Sequence, residues 1–167
     1  PGVLTDIDPT TMPHVLIRLE GGEFLFAAAD GSTYTLGPVT YEIPQWGARE
    51  VGDDDSNPLP SFVNTTVRDL MFFENRLVMI SPQSVALSTL NNPYLSWRLT
   101  VRELLDTTRI DLTMPHDRVV LLHSAAAIGG QLYPLGNKTQ FRTQGGDVLT
   151  PSTVSAKAMS EYDTDPN

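Results

Sequence analysis

With 167 residues, 40% of them hydrophobic, the chain can bury one sizeable core, which excludes intrinsic disorder and leaves a single domain or part of a larger one. Its net charge of −9, from 20 acidic and 11 basic residues with the cations scattered singly, excludes a surface built to grip phosphates. The absence of cysteine removes disulfide frameworks, thiol nucleophiles and Cys-based metal sites, and His14, His116 and His123 are too dispersed for a His-rich metal motif.

The chain begins Pro1-Gly2-Val3, without Met or a signal-peptide pattern, and is expected to be a piece of a longer protein. No apolar run approaches the roughly 18 to 20 residues of a membrane helix, so a soluble protein is expected. Over 14–36 hydrophobicity alternates with period two. "HVLIRL" sets Val15, Ile17 and Leu19 on one face, Gly21-Gly22 turns the chain into "EFLFAA", and Asp30-Gly31 turns it into "STYTL". Three short antiparallel strands are expected. Over 37–63 the composition changes: Pro38, Pro44, Pro58 and Pro60 surround the acidic run Asp53-Asp54-Asp55, predicting a Pro/Asp-rich loop or strand crossover. Trp46 and Phe62 are its expected anchors into a core.

Hairpins resume over 64–163. "DLMFF" and "RLVMI" are apolar runs joined by Glu74-Asn75, and Asn tolerates the left-handed conformation that a two-residue hairpin turn demands. Neighbours on a strand face opposite ways, so one of Phe72 and Phe73 should be buried and the other less so. "SPQS" breaks the pairing and "VALS" predicts a third strand. "TLNNPYLSW" reads as a turn-rich loop with Tyr94 and Trp97 as core plugs. "RLTVRELLD" is the one segment with near-helical leucine spacing, at Leu99, Leu104 and Leu105. "RVVLLHSAAAI" is either a buried strand or a short helix, and Gly129-Gly130 ends it. "QLYPLGNKTQFRTQGG" predicts another hairpin, with Gly136-Asn137 fitting a type II′ turn, and the tail predicts one more strand and an acidic, frayed end. The expected class is mainly β: antiparallel hairpins forming part of a propeller-like or sandwich region, with at most a short helix.

Candidate chemistry is thin. In "GDDDSN", Asp53, Asp55 and Asn57 alternate as the oxygen ligands of a calcium loop do, but Pro58 and Asn64 stand where that loop needs Gly and Glu, which favours a solvated turn. Ser124 follows His123, yet adjacent strand residues point to opposite faces and should not share a proton. Asp69, Glu74, Asp106 and Asp111 are available for a glycosidase pair, though spacing alone does not bring two together. No phosphate-binding glycine loop is present. The residues favour an interaction or structural module over an enzyme, with no cofactor and no metal.

Residues 46–97 carry a resemblance. Trp46, Arg49, Gly52, Asp53, Asn57, Pro58, Pro60, Ser61 and Phe62, then Phe72, Phe73, Asn75, Arg76 and Leu77, stand in an order and spacing similar to those of the tail tubular protein B, or tail nozzle, family of short-tailed bacteriophages. The likeness continues through "RIDLT", through Gln140 and Phe141, and through Leu149 to Pro151. It implies a virion tail location and a structural role without catalytic residues: copies in a six-fold ring below the tail adaptor, forming a tube for ejected double-stranded DNA that is not tightly bound. It also implies one alternative, a polysaccharide-degrading tail protein; a third reading, from the residues, is a module that binds host-surface glycans by stacking exposed Tyr94 and Trp97 on sugar rings. An acidic protein suits a conduit, since cations would hold the phosphates. Arg76 is expected to pair with an acidic or carbonyl group, with "GDDDSN" as its partner.

Overall fold

The computed structural model describes residues 6–146 and 148–162, which form twelve β-strands and one 3-10 turn, Pro9–Thr11. The protein is mainly β and antiparallel throughout, as expected. It divides into two compact units at the Glu50–Val51 junction. The expected acidic end, residues 163–167, lies outside the described residues.

In the first unit, β1 (Val15–Arg18) and β2 (Phe24–Ala27) form a ribbon pairing Val15 with Ala27 and Arg18 with Phe24. Alternation shelters Val15, Ile17 and Leu19 and leaves Leu16, Phe24 and Phe26 in the open. The expected third strand does not join it. Instead β3 (Thr33–Leu36) pairs with β4 (Val39–Glu42) in a ribbon of its own. β4 therefore lies inside the stretch expected to be a loop or crossover. Pro38 sits in the turn after Gly37, whose φ of 60° only glycine adopts freely, and Pro44 lies beyond the strand. Neither proline has to supply a ladder N–H.

The second unit holds two four-stranded sheets, each in chain order. One is β5 (Asp69–Phe73), β6 (Arg76–Ile80), β7 (Ser84–Leu87) and β8 (Ile110–Thr113); the other is β9 (Leu122–Ile128), β10 (Gln131–Gly136), β11 (Gln140–Gln144) and β12 (Ser155–Ser160). "VALS" thus supplies most of β7, and "RVVLLHSAAAI" resolves as strand over Leu122–Ile128. "RLTVRELLD" forms bends and turns instead of a helix. Its Leu99 and Leu104 are exposed, so a helix there would have had no apolar face to bury and little reason to form.

Phe73, Val78, Ile80, Val85, Leu87 and Ile110 of the first sheet share one core with Leu122, Leu132 and Phe141 of the second. Two sequential meanders stacked on a common core have the form of a sandwich or of adjacent propeller blades. Met79 and Ala86 alternate with those core residues, yet they are buried as well. The first sheet is therefore covered on both faces.

Glu74 and Asn75 both have positive φ, 47° and 57°, and Phe73 pairs with Arg76, which makes this a two-residue type I′ turn. The other proposed turn differs. Gly136 has no positive φ and its N–H donates to Thr139 O at 3.0 Å, so the central residues are Asn137 and Lys138. Glycine is required at 136 for space: a Cβ there would meet Val120 Cγ1 at 2.4 Å.

Phe73 is 7% exposed and Phe72 68%. Phe73→Ala should lower the unfolding free energy by about 3–5 kcal/mol, while Phe72→Ala should change it by no more than about 0.5 kcal/mol; urea unfolding monitored by tryptophan fluorescence checks both.

Candidate functional site

Two of the motif residues, Arg76 and Asn57, tie together the backbone connections of the second unit. Arg76, the first residue after the type I′ turn, is fully buried. Its Nη1 donates to Ser88 O and Thr108 O, both at 2.7 Å, with a longer contact to Thr107 O at 3.3 Å, and its Nη2 donates to Asp106 O at 2.8 Å. The partner is thus a set of carbonyls, and the expected pairing with "GDDDSN" is overturned. Burial pushes the guanidinium's pKa down, and the Glu74 charge opposes that shift. The same region is closed by Asn91 N–H on Asn75 O and by Ser88 Oγ accepting from Leu77 N–H, each at 2.9 Å. Glu74 bonds elsewhere: its Oε2 accepts the Leu149 N–H at 3.0 Å.

A second tie comes from Asn57, also fully buried. Its Oδ1 accepts from Arg98 N–H at 3.0 Å and its Nδ2 donates to Arg98 O at 3.2 Å and to Val51 O at 2.9 Å. One side-chain amide therefore pairs with the Arg98 peptide groups as a strand neighbour would.

Sequence reasoning missed a third tie. Arg109 Nη1 bonds Asp111 Oδ2 at 2.7 Å and Nη2 bonds Pro58 O at 2.8 Å, while Asp111 Oδ2 also accepts Ser61 N–H at 2.8 Å. Desolvation lowers the Arg109 pKa, and Asp111 counters it. The signal lay in "RIDLT": residues two apart on a strand share a face, so Arg109 and Asp111 were placed to meet. These bonds lay residues 57–61 along the outer face of β8, and Thr65 Oγ1 to Ser81 Oγ at 3.2 Å extends the cover. Phe62, next in the chain, is buried as expected.

The other motif positions are similarly structural. Asp53 Oδ1 accepts from Ser56 Oγ at 2.7 Å and Ser56 N–H at 2.9 Å, bonds that hold its pKa below the ordinary aspartate value. That carboxylate caps its own turn. Phe141 is in the core with His116 edge-on at 6.2 Å, and Gln140 bonds Tyr162 O at 2.7 Å and Ser160 Oγ. Trp46 and Arg49, in the first unit, are buried.

The candidate catalytic groups fare differently from expectation. Ser124 Oγ does come within 3.0 Å of His123 Nδ1, despite adjacency on β9. Among the proposed glycosidase carboxylates, Asp69 accepts Ala125 N–H at 3.1 Å, and Glu74 and Asp111 are engaged as above. A cleft of about 440 Å³ beside β8 contains one carboxylate, Asp111, where glycoside hydrolysis needs two. Trp97 is 1% exposed and Tyr94 half-buried, so the proposed sugar-stacking pair is not presented to solvent.

The family profile of the bacteriophage nozzle protein matches residues 1–167. The chain belongs to that family. Tail tubular protein gp12 of Escherichia phage T7 is similar to it, at 28% identity over 153 residues that cover 92% of this chain. The chain spans 17% of that relative's length. This nozzle-family chain is thus a structural component of the phage tail, located in the virion.

Arg76→Met should destabilise the second unit by at least about 3 kcal/mol, because several buried carbonyls lose their donor together; Arg76→Lys should recover only part, since an ammonium cannot span the same carbonyls. Chemical denaturation measures both. Asn57→Asp should cost about 2–3 kcal/mol at neutral pH. A carboxylate facing two carbonyls has a raised folded pKa, so this penalty should shrink as pH falls through that value and an O–H donor returns. For wild-type Asp53 the sign is opposite: its stabilisation is present above about pH 4 and lost as pH falls through the depressed folded value. An NMR titration of the Asp53 carboxyl should give a midpoint below the ordinary aspartate value.

Proposed function

We propose that the chain forms part of the wall of a phage tail nozzle, a six-fold ring of subunits below the tail adaptor through which double-stranded DNA is ejected into the host. The observation that carries this reading is the match of the nozzle family over the whole chain, taken with the use of its motif residues: Arg76, Asn57 and Asp53 are spent on holding loops in place. A wall needs such rigidity more than it needs a reactive group. The net charge of −9 supports a conduit, because every cation that neutralises a phosphate releases counterions and holds the DNA in place. In this reading the protein acts without catalysis and contacts the genome without tight binding. Docking to the adaptor falls to parts of the subunit beyond this chain, which spans only a fraction of its T7 relative.

Immunogold electron microscopy of intact virions, with an antibody raised against this chain, tests the placement. Label at the distal part of the short tail is expected. Label on lateral fibres, or none on particles, overturns the reading and makes glycan binding or hydrolysis the next one to test.

A further inference from the structure

β8 is the last strand of its sheet, and its register with β7 places Thr113 opposite Ser84. One residue further, Met114 N–H donates to Gln83 O at 3.1 Å, which marks that pair as hydrogen-bonded. Bonded and non-bonded pairs alternate along an antiparallel ladder. Ile110 and Leu112 therefore bond β7, while the N–H and C=O of Asp111 and Thr113 point to the outer edge of the sheet. Those groups have no partner among the described residues. Asp111 is exposed although its side chain is only 24% so, which makes its main chain the open part.

A groove follows this edge. The cleft of about 440 Å³ is lined by all four residues of β8, and Leu59, Leu104, Pro151 and Val154 give it apolar surface. Clefts of about 350 and 250 Å³ continue it: Ser61 and Thr113 line the first and second, and Gln83 and Thr113 the second and third. A groove that runs along an unpaired strand edge has the shape of an extended peptide. Two polar atoms of its lining residues, Ser61 Oγ and Arg109 Nε, are buried without a hydrogen bond. Arg98 lines the largest cleft too, and Asn57 holds its main chain. Its guanidinium has no hydrogen bond or ion pair among the described residues. That cleft thus holds two cations to one carboxylate, Asp111, in a chain whose net charge is −9.

We propose that a segment of the tail subunit outside these 167 residues adds to β8 as a fifth strand, bonding the outward main-chain groups of Asp111 and Thr113 and bringing a carboxylate to Arg98. The inference rests on reading the chain as part of a larger tail subunit. Size decides the source. Two residues' worth of outward groups is too little to hold a free partner against the entropy of association, whereas a tethered segment meets the edge at high effective concentration. The chain spans 17% of its T7 relative, which leaves most of such a subunit to supply the segment.

The test uses the isolated full-length subunit. Hydrogen exchange of the Asp111 and Thr113 amides should be slowed by about tenfold or more relative to exposed loop amides. Thr113→Pro removes one outward N–H and spares the bonds to β7, so it should return Asp111 to fast exchange while Leu112 stays protected. Arg98→Glu, which leaves the backbone alone, should speed exchange at both positions and serves where the proline variant does not fold. A photo-reactive benzoylphenylalanine in place of Thr113 should capture a peptide from beyond residues 1–167 of the same subunit, at every protein concentration. Fast exchange at Asp111 and Thr113 in the wild type overturns the added strand, as does capture of a peptide within residues 1–167 or capture only between copies. Each of these outcomes is read on subunits in solution, so failure here leaves the placement in the tail, tested by labelling virions, untouched.

Discussion

A guanidinium cannot shed its charge at any ordinary pH, so placing one out of water obliges the fold to surround it with acceptors. At Arg76 those acceptors are main-chain carbonyls of Ser88, Asp106, Thr107 and Thr108. The choice of backbone over a carboxylate has a structural result. A carboxylate would neutralise the charge at one point, whereas carbonyls from the two ends of the long β7–β8 connection are drawn to a single centre and held in fixed relation to the β5–β6 hairpin. The β7–β8 connection carries little regular structure, and this one side chain anchors its start and its end together.

Asn57 and Arg109 extend the same logic outward. Each uses a planar, multi-donor group to satisfy peptide groups that no strand reaches, and each works across a long separation in sequence. The result is a sheet whose second face is closed by irregular chain without buried peptide groups going unmet at these points. That arrangement explains how Met79 and Ala86 come to be as buried as the residues of the main core. Bonding of this kind joins loops to sheets instead of leaving them as independent surface segments.

Much of the β framework was legible because local chemistry dictated it. The period-two alternation of "HVLIRL", the left-handed tolerance of Asn75 and the opposed rings of Phe72 and Phe73 each involve neighbours a few residues apart. Errors arose where the deciding contact was distant. Leucine spacing in "RLTVRELLD" resembled a helix, but covering the sheet needed a loop whose peptide groups reach Arg76 and Asn57. Gly136 looked like a turn glycine, and its actual constraint is Val120, sixteen positions earlier in the chain. The prolines at 38 and 44 suggested a loop or strand crossover, and a four-residue strand fits between them. The partner of Arg76 was out of reach for a related reason: carbonyls are present at every position, so no side-chain pattern marks the ones that will converge.

The order of the strands also bears on how the chain comes to be folded. In both four-stranded sheets every strand pairs with its neighbour in sequence, and most of the connections are short. Low sequence separation makes such pairing fast and allows each sheet to begin forming as its own residues leave the ribosome. The ties from Asn57 to Arg98 and from Pro58 to Arg109 span 41 and 51 residues, and cannot close until the three strands β5 to β7 and the connection after them have been made. Meanders would then assemble first and their covering loops lock afterwards, so a long tail subunit could mature sheet by sheet while its neighbours are still being synthesised.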